Sequence, residues 1–443
     1  MQKQSKAGSS NHQQTRSDFD DHQHHLMFDV EFARSNFPAF SHFELQDQIM
    51  AENAGGSYPC YDTINALSQF YTRNKLQPYY PNEPSSRAGA EMDQSYQRWA
   101  EFLNVHADEV HFGPSTSANS YMLANAFSEI LKPGDEIIVT VCDHEANNGA
   151  IRKMAKAHSI TVREWKIDEQ TQQLESRELA HLLNDHTRLI CVTHCSNIIG
   201  HQNPIKKWAE MIKKMPQKPI LLVDGVSNAP HHIPDIDDLG CDIYLFSLYK
   251  VYSVHQGLMV IRKSCDQKLA PQGHFFNHNL AHYRFTPAGP DHAQIGAAKG
   301  VLDYIRALSL HHDRQLKTPA QYRQTINRLW HRHEHQLTHA LLDGLRPLKH
   351  KKGLTIIGDE LNEARHPTVS FHFNGKYDPL EIVKKLGQAS IIAGFGHFYA
   401  YRLMQHLAID PDPGVVRISL VHYNRMKDVE LIIKTLEQIL DAA

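Results

Sequence analysis

Hydrophobic positions along the chain follow two regimes. From about residue 110 to 305, short β-branched apolar runs alternate with longer segments of helical period. EIIVTV (136–141), ITVREWKI (160–167), RLICVT (188–193), ILLVDG (220–225), DIYLFS (242–247) and GLMVIR (257–262) have strand length. Most are apolar throughout, as strands covered on both faces are. Between them NNGAIRKMAKAH and NPIKKWAEMIKK carry helical periodicity, the second with Pro204 near its first turn. This pattern predicts an α/β fold with a mainly parallel central sheet, and ligands of such sheets gather at the carboxyl ends of the strands.

Beyond residue 305 the pattern changes. A long polar stretch from Leu308 to Leu345 reads as mostly helical. LTIIGD (354–359), HPTVSFHFN (366–374) and VVRISLVHY (415–423) then predict strands, with DPLEIVKKLGQ and KDVELIIKTLEQIL as amphipathic helices. These make a smaller α+β C-terminal domain. Upstream, residues 28–100 are broken by GGSYP, QPYYPNEPSS and RAG and read as irregular chain held on a larger body. The expected partition is a flexible leader at 1–27, an N-terminal segment at 28–50 packing on the small domain, a large domain at 51–305 and a small domain at 306–443.

Charge and composition narrow the class. Forty-six Lys and Arg against 49 Asp and Glu give a net charge of −3. No global basic field exists for nucleic acid or an anionic membrane, so neither is an expected partner. No apolar run approaches the roughly 18 residues of a membrane helix, and the start has no apolar signal core, which makes the cytoplasm the expected location. Cysteines at 60, 142, 191, 195, 241 and 265 form neither a disulfide scaffold nor a CxxC ladder. The 32 histidines lack zinc-motif spacing, and no metal site is predicted. His22, His24 and His25, after Asp18, Asp20 and Asp21, form at most a weak cation position in a polar leader.

Five polar groups follow predicted strands or open helices. Ser115, Thr116 and Ser117 precede an apolar-periodic helix, an arrangement that serves as an anion site or as ordinary capping. His144 follows 136–141, and Asn197 follows 188–193. Asp224 ends an apolar strand, where a lone carboxylate costs several kcal/mol unless paired or solvated. Ser247, Tyr249 and Lys250 follow 242–247; an ammonium there needs a counter-charge or acts as a neutral amine, for which Schiff-base chemistry is one use and snorkelling to solvent the other. Arg417, the one charge in an apolar strand, asks for a bound anion or an internal partner. Together these groups suit an anionic aromatic aldehyde such as pyridoxal 5'-phosphate: a helix start for phosphate, an acid for the ring nitrogen and an amine for the aldehyde.

With DHEA at 143–146, SNIIG at 196–200, DG and PH within 224–231, SLYK at 247–250 and RIS at 417–419, the chain resembles the class V aminotransferase family of pyridoxal-phosphate enzymes, in outline its cysteine desulfurase and selenocysteine lyase branch. The resemblance spans about residues 50–440 and implies a fold type I enzyme and a homodimer. It implies that Lys250 forms the internal aldimine, Asp224 pairs with the pyridine nitrogen, His144 stacks on the ring, Asn197 meets the 3'-oxygen, and Ser115, Thr116, Ser117 and Ser247 surround the phosphate. Tyr249 and Ser227 stand where that branch carries His and Gln. For a small amino acid substrate it implies Arg417 at the α-carboxylate, Asn53 nearby and His397 and Tyr399 on a pocket loop. Desulfurases carry a reactive Cys on that loop; here Tyr399 takes its place and no cysteine follows Cys265. The reaction expected is aminotransfer, with a C–S or related β-lyase or desulfurase-like reaction as the first alternative and a non-catalytic protein on this fold as the second.

Overall fold

The structure, a computed structural model, describes residues 27–442, so the His22–His25 cluster lies outside the described residues. Strands are numbered along the chain: β1 Ile49–Met50, β2 Val110–Gly113, β3 Glu136–Thr140, β4 Thr161–Trp165, β5 Thr187–Thr193, β6 Ile220–Asp224, β7 Ile243–Ser247 and β8 Gly257–Ile261. The C-terminal part adds β9 Thr355–Ile356, β10 Thr368–His372, β11 Ile391–Ile392, β12 Gly394–Gly396 and β13 Val415–Ser419.

Seven strands form one sheet in the order β2-β8-β7-β6-β5-β3-β4. β4, β3, β5, β6 and β7 run parallel, whereas β8 is antiparallel to both β7 and β2. The fold is α/β as the periodicity predicts, with one reversed strand that it does not show. Residues 248–256 are too few for a helical crossover, so the chain after β7 turns straight back into β8. β2 is itself only four residues, VHFG, too short a run to stand out. Alternate faces of the sheet feed two cores. Val223, Tyr244, Phe246 and Val260 contribute to one, and Leu222, Ile243, Leu245 and Met259 to the other.

The segment expected to be irregular is largely helical. Tyr61–Arg73 and Glu83–Leu103 are helices, and the Pro/Asn-rich residues lie at their boundaries: Asn82 caps the second helix by accepting from Ser85 N, with Pro84 in its first turn. Trp99 is buried on the second helix and donates to the Ala298 carbonyl (2.9 Å). Tertiary anchoring of this kind outweighs the weak local signal.

The small domain holds the sheet β12-β13-β10-β9, covered by the 34-residue helix Pro319–Lys352 and by Met426–Asp441. Thr318 and Gln321 form a capping box at the start of the long helix. β1 pairs in parallel with β11, and Ser419 N donates to Ala51 O (2.7 Å), so the N-terminal segment is stitched to β11 and β13. No helix among the described residues is long and apolar enough to cross a membrane.

Leu341 is fully buried between the long helix and this sheet. Leu341→Ala is expected to lower unfolding free energy by about 2–5 kcal/mol through the cavity it leaves. Leu361→Ala, at a position 80% exposed, is expected to cost less than about 0.5 kcal/mol. Equilibrium urea unfolding of the two variants checks the contrast.

Candidate active site

The parallel strands end on one edge of the large sheet, and their following loops line a single cleft. Ser115, Thr116, Ser117, His144, Asn197, Asp224, Ser227, Ser247, Tyr249 and Lys250 all face it. Thus the structure brings together every residue assigned to the cofactor from sequence.

One end of the cleft is the start of the helix Thr116–Ser128. Ser115 is its cap and accepts from Ala118 N (3.1 Å), so its hydroxyl serves the helix, while Thr116 Oγ1 and Ser247 Oγ share a hydrogen bond of 2.7 Å. The helix start leans onto β8 because Gly257 has no side chain: a Cβ there would lie 2.5 Å from the Ser115 carbonyl carbon and 2.6 Å from Thr116 N. Free N–H groups and hydroxyls at such a start suit a phosphate.

The floor carries Asp224 and Lys250. Val226 N donates to Asp224 Oδ1 (2.8 Å). Burial raises the Asp224 carboxyl to about 6 against the pull of that hydrogen bond and of Lys250. Burial, with Arg417 adding to it, lowers the Lys250 amine to about 8, while Asp224 and Glu52 act the other way. His144 is held neutral, at about 3, by burial and by the cations Lys250 and Arg417. Its Nδ1 accepts from Ala146 N (3.0 Å), which fixes the ring at the head of the helix Glu145–Ala157. Asp143 beneath is pushed up to about 7 by burial and by Asp224. Two neighbouring carboxyls and a weakened amine buried in the floor give the polarity that separates acid from base at neutral pH.

Asn197 donates to the Phe398 carbonyl (2.9 Å), and its Oδ1 is buried with no partner. One amide hydrogen of the residue expected at the cofactor's 3'-oxygen is thus taken by the loop carrying Phe398. The helix start held close by Gly257 and the rest of the lining fit pyridoxal 5'-phosphate: Thr116, Ser117 and Ser247 would hold the phosphate, His144 would meet the ring face, Asp224 the ring nitrogen and Lys250 the aldehyde.

The substrate-side assignments divide. Asn53 lies away from the cleft and is spent inside the chain. Its Nδ2 donates to Met50 O (2.9 Å) and Ser419 O (3.0 Å), and its Oδ1 accepts from Tyr423 Oη. It ties the N-terminal segment to the small domain instead of offering itself to a substrate. His397 lines a shallower outer recess with Tyr399 and accepts from Tyr399 N (3.1 Å). Tyr399 joins the two spaces, because its ring stacks on His144 with centroids 5.1 Å apart. Arg417, 2% exposed, has the internal partner that its strand position asks for: Nη2 donates to Glu52 Oε1, and Nη1 to the Asn197 carbonyl (3.1 Å).

Sequence reasoning missed His255, Cys195, Thr193 and Glu52. His255 stacks on Tyr249 (4.6 Å, interplanar 5°) and lines the cleft, supplying an imidazole beside the position where Tyr249 stands in place of one. Cys195 and Thr193 come from the end of β5. Glu52 reads as an ordinary loop acid because Arg417 is 365 positions away.

A family model described as aminotransferase class-V matches residues 49–432. The chain is 32% identical over 425 residues to the aminotransferase-like protein FGM3 of Gibberella zeae, covering 93% of this chain and 99% of that protein. It is 25% identical over 432 residues to the cysteine desulfurase of Pectobacterium atrosepticum, covering 94% and 98%. Among solved structures, the apo cysteine desulfurase of Thermococcus onnurineus NA1 shares the fold, with TM-score 0.79 and 21% identity over 93% of this chain and 98% of that one.

An amine held near 8 makes carbonyl capture pH-dependent. The rate at which cofactor-free protein takes up pyridoxal 5'-phosphate, followed by absorbance, is expected to rise between about pH 7 and 9 as Lys250 loses its proton. Arg417→Gln is expected to move the midpoint up, because a cation that disfavours the ammonium is gone. A wild-type midpoint near 10.5, the ordinary lysine value, would contradict the description of the floor.

Proposed function

The chain belongs to the class-V aminotransferase family, and from that premise we propose a pyridoxal-phosphate enzyme that acts at the α-carbon of a small amino-acid-type substrate and expels a β-substituent, as a C–S or related lyase of desulfurase-like build without a persulfide relay. The cofactor, when bound, supplies an aldehyde that receives the substrate amine and a ring that draws electrons from the α-carbon. Lys250 Nζ, weakened as a base-holder of protons by burial, takes and returns the α-proton. Asp224 holds a proton at the ring nitrogen, and neutral His144 packs on the ring without adding charge. Tyr399, whose ring stacks on His144 at the edge of the cleft, is the side chain we assign as proton donor to a departing group.

One observation carries the departure from sulfur relay: all six cysteines are buried, and Tyr399 occupies the loop. Cys195 is the cysteine that lines the cleft; it is 2% exposed, lies in the floor and has its thiol pushed far up by burial. A persulfide carrier needs an accessible thiolate. The names of the similar desulfurases favour cleavage of a C–S bond over the aminotransfer expected from sequence. Aminotransfer stands as the second reading because the relative at 32% identity is called aminotransferase-like.

A homodimer belongs to the same proposal. Phe275 and Phe276 are exposed beside a groove containing Thr286, Pro287, Ala288 and Gly289, an apolar surface suited to a second copy.

Incubating holoprotein with free and carboxyl-masked amino acids that bear β-leaving groups, with mass analysis, separates the readings. Elimination yields ammonia, a keto product lacking the substituent and the freed substituent. Aminotransfer retains the side chain, and desulfuration of cysteine yields alanine with a cysteine persulfide. Lys250→Ala is expected to slow turnover by at least about 10²-fold. Alanine formation with a persulfide on any of the six cysteines would overturn the proposal.

A further inference from the structure

The arginine expected to receive a substrate carboxylate already holds one. Arg417 Nη2 donates to Glu52 Oε1, and Nε lies 3.4 Å from Oε2, so the carboxylate takes the bidentate edge that suits such an anion. Nη1 donates to the Asn197 carbonyl (3.1 Å), and the Phe398 ring lies over the guanidinium with its centroid 3.6 Å from Cζ. Phe398 and Tyr399 reach this arrangement through two successive positive-φ residues, 48° and 60°, which fold the loop over the arginine.

The backbone makes room for this particular carboxylate. Gly394 sits opposite Arg417 in the β12–β13 register, and a Cβ there would lie 2.5 Å from Glu52 Oε2. A Cβ on Gly55 would come within 3.0 Å of Oε1. The acid is anchored from its own side as well, since Ser419 N donates to Ala51 O and Asn53 N to Ser419 O. Arg417 and Glu52 side chains are 2% and 19% exposed. A free substrate carboxylate would have to displace a resident one and then lie beside it, a like-charge contact in a poorly solvated place.

We propose that Glu52 is a specificity-determining residue that occupies the α-carboxylate position on Arg417, so that the site takes amino compounds whose carboxyl group is masked as an amide, ester or thioester. A neutral carbonyl brings no second anion to the pair. The inference rests on the reading of the cleft as a site for pyridoxal-phosphate chemistry on an amino substrate.

The test uses holoprotein, with cofactor absorbance reporting binding of L-alanine, L-alaninamide and L-alanine methyl ester. Wild type is expected to bind the amide and ester at least tenfold more tightly than the free acid. Glu52→Gln is expected to raise affinity for the free acid at least tenfold relative to the amide. Wild-type preference for the free acid, or an unchanged acid-to-amide ratio in the variant, would overturn the proposal. A second measurement needs no cofactor: propionate should raise the melting temperature of full-length Glu52→Gln protein but not of wild type, and equal shifts in both would overturn it. If Glu52→Gln fails to fold, the wild-type acid-to-amide ratio alone decides. A protein that takes up no pyridoxal 5'-phosphate while the propionate contrast holds would sink the functional reading and leave the Glu52–Arg417 assignment standing.

Discussion

A carboxylate and an amine buried at one end of an apolar sheet set the terms for the rest of this molecule. Asp224 ends a strand whose five residues are all buried, and Lys250 follows another such strand directly. Neither group keeps its ordinary proton affinity there: the acid rises to about 6 and the amine falls to about 8. Such placement costs stability on its own, because desolvation opposes both charged forms. The parallel strands meet that cost by delivering a complementary set of dipoles and hydroxyls to the same edge.

A second pair of opposite charges works at the joint between the large sheet and the small domain. Arg417 comes from β13, Glu52 from the N-terminal segment and the Asn197 carbonyl from the loop after β5. Three distant parts of the chain therefore meet at one guanidinium. Asn197 lines the cleft, and the charges of Arg417 and Glu52 are close enough to act on Lys250, so the joint between the two domains and the cleft share one electrostatic neighbourhood. Tyr399, stacked on His144, links the cleft to the outer recess.

Much of this was legible in the chain, for physical reasons. Five of the six strand candidates from 136 to 262 stand out because buried strands need apolar runs, the edge strand β4 being the polar exception, and β3 to β8 extend at most one residue beyond those candidates. The cofactor-side residues were legible because they follow such runs directly. The reversal of β8 was hidden, since strand direction depends on the length of the connection and not on side-chain pattern. The helices Tyr61–Arg73 and Glu83–Leu103 were hidden by Pro, Gly and Asn at their ends. Asn53 looked like a pocket residue, yet its amide is taken up by Met50, Ser419 and Tyr423. Long-range pairing of that kind leaves no local signal, and the same holds for Glu52 and Arg417.

The central claim is that the carbonyl-capturing amine of this protein is Lys250, beside Asp224. Reduction of the holoprotein with borohydride followed by peptide mass mapping tests it most directly. The account predicts a pyridoxyl group on Lys250 and on no other lysine, and none on the Lys250→Ala protein. A modified lysine elsewhere, or a holoprotein with no reducible adduct, would contradict it.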